Sequence, residues 1–223
     1  MKQLVQTSKA TLGRLPFYYR TLNSLAEKGR SHVSSRELGS LMRIDPAQVR
    51  RDLSSIGEFG KAGIGYSVPD VLDVLEQILG LRNRTEAVLV GVGRLGAALC
   101  RYPGFEKYGL RIVGLFDSDP SKIGTKLDGL PILDVAEVPH VVRRLAIQMG
   151  IVTVPGDAAQ AVTDLLVSAG IIAIWNFAPV SVRVPPGVFV RDEDLAAGLS
   201  HLSRHLSGAS GHSEQESRTR RGT

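Results

Sequence analysis

The stretch Ala87-Val88-Leu89-Val90-Gly91-Val92-Gly93-Arg94-Leu95-Gly96 decides the fold class. Its first four residues form an apolar, β-branched run of the kind that makes a fully buried strand. The glycines follow at once as G-x-G-x-x-G, and apolar positions at helical spacing then run through Leu99. A second apolar run, Ile112-Val113-Gly114-Leu115-Phe116, ends on Asp117, 21 residues after Gly96. Strand, glycine turn, helix, strand and terminal acid are the full context of a dinucleotide-binding unit. Gly91 permits the tight turn, Gly93 lets a pyrophosphate approach the backbone, and Gly96 lets the helix pack on the strand. Val92, Arg94 and Leu95 complete the turn, whose amides face the phosphates. A carboxylate at Asp117 suits free ribose hydroxyls and repels a 2′-phosphate, which favours NADH or NAD⁺ over the phosphorylated cofactors.

Outward on the C-terminal side, strands are expected near 130–133, 149–154, 171–175 and 188–191, with helices at about 134–142 and 158–169. Alternating strands and helices imply a parallel sheet covered on both faces. Residues 193–206 place Leu195, Leu199, Leu202 and Leu206 on one stripe. That stripe suits either packing on its own sheet or binding a partner. Residues 207–223 have almost no apolar content and read as a disordered tail.

On the N-terminal side the chain is basic. Residues 1–68 hold 11 lysines and arginines against 5 acids, whereas residues 69–205 hold 13 against 15. Such asymmetry fits a polyanion-binding head or simply a solvated basic face. Residues 1–12 read as frayed and 14–28 as a helix carrying Leu15, Tyr18, Leu22 and Leu25. Ser34 with Glu37 makes a capping-box signature for a short second helix. Asp45-Pro46-Ala47-Gln48 starts a third, with Val49, Leu53 and Ile56 inward and Gln48, Arg50 and Arg51 near its exposed start. Gly57, Gly60, Gly63 and Gly65 then mark a tight hairpin with Lys61 at its tip. Three helices and a hairpin outline a winged helix-turn-helix. Ser34, Ser35, Gln48, Arg50, Arg51 and Lys61 are its candidate contacts to double-stranded DNA, since such readers place the start of the third helix at base edges. A fourth helix, about 69–80, leads into the next domain. The expected organisation is 1–80 winged helix, 81–192 Rossmann-like domain, 193–206 terminal helix and 207–223 tail.

The remaining composition excludes several classes. The single cysteine, Cys100, forms no intrachain disulfide and reads as a small packed residue. No apolar stretch reaches about 18 residues and no secretion signal is evident, so a soluble, cytoplasmic, membrane-free protein is expected. No Cys/His cluster has metal-ligand spacing. An NAD-dependent dehydrogenase needs an acid/base beside the nicotinamide. His32, His140, His201, His205 and His212 all fall elsewhere; His140 is expected to end a helix. A CoA-binding module shares the glycine turn, and Asp117 argues against the 3′-phosphate of CoA.

From about Arg14 to Leu206 the sequence closely resembles the Rex family of redox-sensing transcriptional repressors. The blocks that carry the resemblance are Arg14-Leu15-Pro16-Phe17-Tyr18-Tyr19-Arg20, Gln48-Val49-Arg50-Arg51-Asp52-Leu53-Ser54, Gly57 to Tyr66, the glycine motif, Tyr102-Pro103-Gly104-Phe105, Phe116-Asp117-Ser118-Asp119-Pro120, Thr153-Val154-Pro155 and Asn176-Phe177-Ala178-Pro179. The resemblance implies a non-enzymatic repressor, a homodimer with a swapped C-terminal helix that NADH releases from a palindromic operator while NAD⁺ competes without releasing it. It also implies Asp117 and Lys122 near the adenosine, Tyr102 near the nicotinamide with Leu195 of the second copy, and Thr153, Pro155 and Asn176 lining the site. A charge contact between Arg20 and Asp194 would mark the DNA-binding state, with Tyr102 competing for that acid. Two positions depart from the family: Ser55-Ile56 replaces a usual Tyr-Phe pair, and Leu195 replaces a frequent aromatic.

Overall fold

The computed structural model describes residues 7–61, 63–197 and 199. They fall into two units: the chain up to Arg84 with Glu106–Gly109, and Thr85–Phe105 with the chain from Leu110 onward.

The first unit is a helical head with a small sheet. Helix α1 spans Lys9–Glu27, five residues earlier than expected, because Ser8 caps it by accepting the Thr11 amide at 3.0 Å. Pro16 lies inside this helix without ending it. Strand β1 (His32–Val33) leads to α2 (Ser35–Met42) and α3 (Pro46–Ser54). Strands β2 (Gly60–Lys61) and β3 (Gly65–Ser67) form the expected hairpin. The two-residue β1, too short to show a period, pairs with β3 and makes a three-stranded antiparallel wing. Helix α4 (Val68–Ile78) begins at the Ser67 cap and ends before the expected residue 80. Leu15, Tyr18 and Leu22 of α1, Leu38 of α2, Val49 and Leu53 of α3 and Leu75 of α4 are fully buried in one core. Each such aliphatic side chain contributes about 1.5–3 kcal/mol by leaving water. Ile56, at one of the departing positions, is buried in that core too.

The second unit is a seven-stranded sheet. In chain order it contains β4 (Thr85–Val90), α5 (Arg94–Cys100), the first two residues of α6 (Gly104–Lys107), β5 (Leu110–Asp117), β6 (Lys126–Leu127) and β7 (Leu130–Asp134). A 3-10 turn (Val135–Glu137), α7 (Val138–Leu145), β8 (Met149–Val152), α8 (Gly156–Ala169), β9 (Ala173–Asn176) and β10 (Phe189–Asp192) complete it. The strand order is β10-β9-β8-β4-β5-β7-β6. All pairs are parallel except β6 with β7. Setting the short edge strand β6 aside, the chain runs outward from β4 through β5 to β7, then crosses back to β8, β9 and β10. This is the doubly wound order, and the turn after β4 lies at its switch point, where open α/β sheets take ligands. Strand β8 stops at Val152, so Thr153-Val154-Pro155 is loop rather than strand. His140 lies within α7 instead of ending it, since that helix continues to Leu145. Of the stripe at 193–206, Leu195 and Leu199 are exposed; Leu202, Leu206 and the tail 207–223 lie outside the described residues.

Candidate functional site: a dinucleotide turn and a basic helix start

The glycine turn has one open and two closed positions. Gly91 has φ +101°, a left-handed backbone, and a β-carbon there would lie 2.8 Å from the Thr153 carbonyl. A β-carbon at Gly96 would strike the Gly91 carbonyl oxygen and lie 2.9 Å from Thr153 Oγ1. At Gly93 there is nothing within 4 Å. The turn is thus packed on its protein side and clear on its outer side, beside the first amides of α5. That shape fits a pyrophosphate drawn close to the backbone. Arg94 is exposed next to this space, Val92 is buried and Leu95 half-buried.

Thr153 has a role that spacing did not reveal. Its hydroxyl donates to the Gly91 carbonyl at 2.7 Å, which fixes the loop after β8 to the turn after β4. Pro155, exposed, begins α8 two residues later.

Asp117 closes the site at the end of β5. Burial pushes its carboxyl up. The Asp119 amide at 2.9 Å, the Lys122 ammonium at 2.9 Å and the Val92 amide at 2.8 Å outweigh that and hold it below the ordinary range. The Val92 bond ties Asp117 directly to the glycine turn. Lys122 is raised, mainly by its hydrogen bond to Asp117, and Asp119 lies 3.7 Å from it on the outer side. Two carboxylates around one ammonium leave a net negative rim, which suits ribose hydroxyls and disfavours an additional phosphate.

The other sequence-derived residues of this unit lie toward β9 and β10. Asn176 is fully buried. Its amide nitrogen donates to the Val180 carbonyl at 2.7 Å and to Asp192 Oδ1 at 2.8 Å, and its oxygen accepts the Ala178 amide. It therefore shapes the 176–180 turn and holds β10 in place. Beyond it opens a cavity of about 450 Å³ bounded by Phe177, Pro179, Asp192, Asp194 and Leu195. Asp194 accepts the amides of Ala196 and Ala197 at 2.8 and 3.1 Å and so caps the segment carrying the leucine stripe. Tyr102 follows α5 and is 56% exposed, with its ring edge-on to Phe105 at 5.1 Å.

In the head, Ser34 accepts the Glu37 amide at 3.1 Å, as its capping role requires, but Glu37 pairs with Arg30 rather than reaching back. Asp45 accepts the Ala47 amide at 2.6 Å and starts α3. Ser34, Ser35 and Arg50 meet around a hollow of about 620 Å³ at the starts of α2 and α3, and Arg50 donates to Ser35 at 3.2 Å. Arg50, Arg51 and Lys61 are all exposed. Arg20, on α1, lies 5.6 Å over the Phe17 ring. Gln48 does not reach back to the cap. Its nitrogen donates to Asp52 at 2.8 Å and its oxygen accepts from Arg51 at 3.0 Å.

Asp52 itself is the residue that sequence reasoning missed. It is 1% exposed and gathers Arg14 Nη2 and Nε at 2.7 Å each, Tyr18 at 3.0 Å, Thr11 at 3.1 Å and Gln48. A charge so buried persists only when paired. The signal was an acid at the i+4 position from Gln48, beside a hydrophobic stripe.

Comparison with known proteins follows these two halves. A family profile described as a putative DNA-binding protein N-terminus matches residues 6–54, and one described as a CoA binding domain matches residues 82–180. The chain is 45% identical over 206 residues, 92% of its length and 94% of the other, to a redox-sensing transcriptional repressor Rex from Roseiflexus sp. strain RS-1. The crystal structure of RSP in complex with β-NAD⁺ and operator DNA superposes with a TM-score of 0.86 at 36% identity, covering 95% of this chain and 97% of that one. The complex of RSP with β-NADH superposes at 0.84 and 35% identity, covering 94% and 98%. A winged head, a doubly wound sheet with its glycine turn at the switch point, and near-complete coverage at this identity leave one assignment: the chain belongs to the Rex family of redox-sensing transcriptional repressors.

Proposed function

We propose that this protein is a transcriptional repressor that reads the NADH/NAD⁺ balance, and that NADH releases it from operator DNA. The observation that carries the reading is the pairing, in one chain, of a turn open only at Gly93 and closed by Asp117 with a capped basic helix start. Gly91 to Gly96, Asp117 and Lys122 hold the adenosine and pyrophosphate half, and Thr153 and Pro155 line the turn. Tyr102 faces the nicotinamide, with Leu195 of a second copy beside it, and Asn176 frames that end from within. Ser34, Ser35, Arg50, Arg51 and Lys61 contact DNA, while Gln48 sets the attitude of Arg51. The domains divide at residues 80, 192 and 206.

The oxidised nicotinamide carries a positive charge that the reduced one lacks, and burying it against Tyr102 and the apolar Leu195 of a second copy costs a desolvation that the neutral ring avoids. NADH shifts the molecule only by its differential affinity for two dimer states. Arg20 and Asp194 pair in the DNA-binding state, and Tyr102 takes Asp194 in the other. A homodimer is favoured by the exposed Leu195 and Leu199, which leave an apolar stripe for a second copy. Two heads then span a palindrome whose half-sites follow the dimer's symmetry. We place the protein in the cytoplasm, where the cofactor and the operator meet, and assign it no metal.

Gel-shift titration on an operator-like palindrome, at fixed salt, tests this. NADH should dissociate the complex and NAD⁺ should block NADH without dissociating it. If NADH saturates the protein and the complex persists, the proposal falls. The profile described as a CoA binding domain makes CoA the control ligand, and the acidic rim at Asp117 and Asp119 predicts weaker binding than NADH.

A further inference from the structure

Four aromatic rings run in contact through the second unit. Tyr102 meets Phe105 at 5.1 Å, Phe105 meets Trp175 at 5.3 Å, and Trp175 meets Phe177 at 4.9 Å between centroids. The row starts on the loop after α5, reaches Trp175 on β9 and ends on Phe177, one residue past that strand. The Trp175 indole Nε1 donates to Glu193 Oε1 at 3.2 Å. The Glu193 amide donates to the Asn176 carbonyl at 2.8 Å, so this residue is held by β9 through both side chain and backbone. The next residue, Asp194, caps the leucine-striped segment.

We propose that Trp175 is a positioning residue that transmits the state of the Tyr102 loop to the Asp194 segment through its bond to Glu193. This rests on the reading of Tyr102 and Asp194 given above. Close-packed rings do not compress, so a turn of Tyr102 displaces Phe105 and then the indole. The indole has one donor and no acceptor, and Glu193 is the acceptor it meets. The same Glu193 oxygen also accepts from Arg191 Nε at 2.9 Å, so it is shared between the indole and an exposed guanidinium. A shift of the indole would leave the carboxylate on Arg191 alone, and these two arrangements would be the kind of two-state element through which coupling travels. Phenylalanine at 175 would keep the ring contacts without the bond.

Trp175 is the sole tryptophan of the chain, so its emission reports on this position directly. The full-length protein and its Trp175→Phe, Glu193→Ala, Glu193→Gln and double Phe/Ala variants are compared. NADH affinity is read from NADH fluorescence, and operator affinity is read with and without saturating NADH. Trp175→Phe and Glu193→Ala should bind NADH, and operator without NADH, within about threefold of the parent. Their NADH-induced loss of operator affinity should shrink at least about fivefold, the lower end of ordinary coupling. The double variant should lose no more than either single one, because both remove the same bond. Glu193→Gln keeps an acceptor oxygen and should restore most of the response. Unchanged responses, or losses that add, would overturn the proposal. If the parent is not released by NADH but its tryptophan emission shifts, and Glu193→Ala abolishes that shift, the operator reading fails while the positioning role stands.

Discussion

A methyl group placed on Gly96 has nowhere to go, whereas one placed on Gly93 meets open space. The two positions therefore separate folding from binding. Gly96→Ala pushes the Gly91 carbonyl and Thr153 apart and should cost about 1–3 kcal/mol of stability, the usual range for overpacking. Gly93→Ala should change the stability by less than about 0.5 kcal/mol, as surface substitutions do. Its β-carbon occupies the approach to the backbone, so NADH affinity should fall at least tenfold. Fluorescence titration alongside urea unfolding checks both; a Gly93→Ala protein that binds normally would show that no phosphate sits there. At this scale the sequence was informative. The tight turn at Gly91, the open position at Gly93, the close packing at Gly96 and the place of Asp117 at the end of β5 were legible, because strand, turn and terminal acid are set by local spacing. Thr153 was not legible as a brace, since its partner Gly91 is 62 residues away. Nor was the short reach of Asn176 to its own turn and to Asp192.

Helix α3 is attached to α1 by a charge as well as by its apolar stripe. Asp52 accepts from Arg14, Tyr18 and Thr11 on α1 and from Gln48 on its own helix. Burial pushes its carboxyl up, but the bonds from Arg14, Gln48 and Tyr18 prevail and hold it low. A depressed carboxyl pKa contributes stability above the unfolded value of about 3.9, and loses it as pH falls through the folded value below that. Asp52→Asn should therefore destabilise the protein by about 3–5 kcal/mol at neutral pH, the cost of breaking a buried pair from one side. It should also flatten the loss of stability between pH 5 and pH 2 or so, which denaturant melts across that range would detect. The helices themselves were readable from caps: Ser34 and Asp45 act as their types suggest. What periodicity hid was the start of α1 at Ser8, set by one side-chain bond, and the two-residue strands β1 and β6, which are too short to carry any pattern. Gln48 illustrates the limit well. Its place at the head of α3 suggests a base-reading side chain, yet both ends of its amide are engaged by Asp52 and Arg51.

Across the molecule, charge is divided as labour is. The first 68 residues carry the excess of lysine and arginine, and the sheet that follows is close to neutral. The parallel sheet covered by helices was implied by the alternation of strand and helix; the strand order, with its crossover from β7 back to β8, and the antiparallel β6 at one edge were not. If the basic head meets DNA, its contacts differ in kind. Lys61 stands exposed at the end of β2 in the wing, and a lysine there meets phosphate as a point charge. Arg51 stands in the last turn of the nine-residue α3 rather than near its start as expected, and its planar guanidinium, held by Gln48, has the shape to match the edge of a guanine. Lys61→Ala should weaken binding to every sequence about equally and reduce the slope of log affinity against log salt by about one. Arg51→Ala should instead lose about 1–3 kcal/mol on one operator base pair and relax the preference there. Fluorescence anisotropy on an operator, on single-base variants of it and on unrelated duplex, repeated across salt, separates the two. An Arg51 variant that loses affinity uniformly, with the salt slope falling as for Lys61, would move that residue from base edge to phosphate and leave sequence reading to other groups around the Ser34–Arg50 hollow.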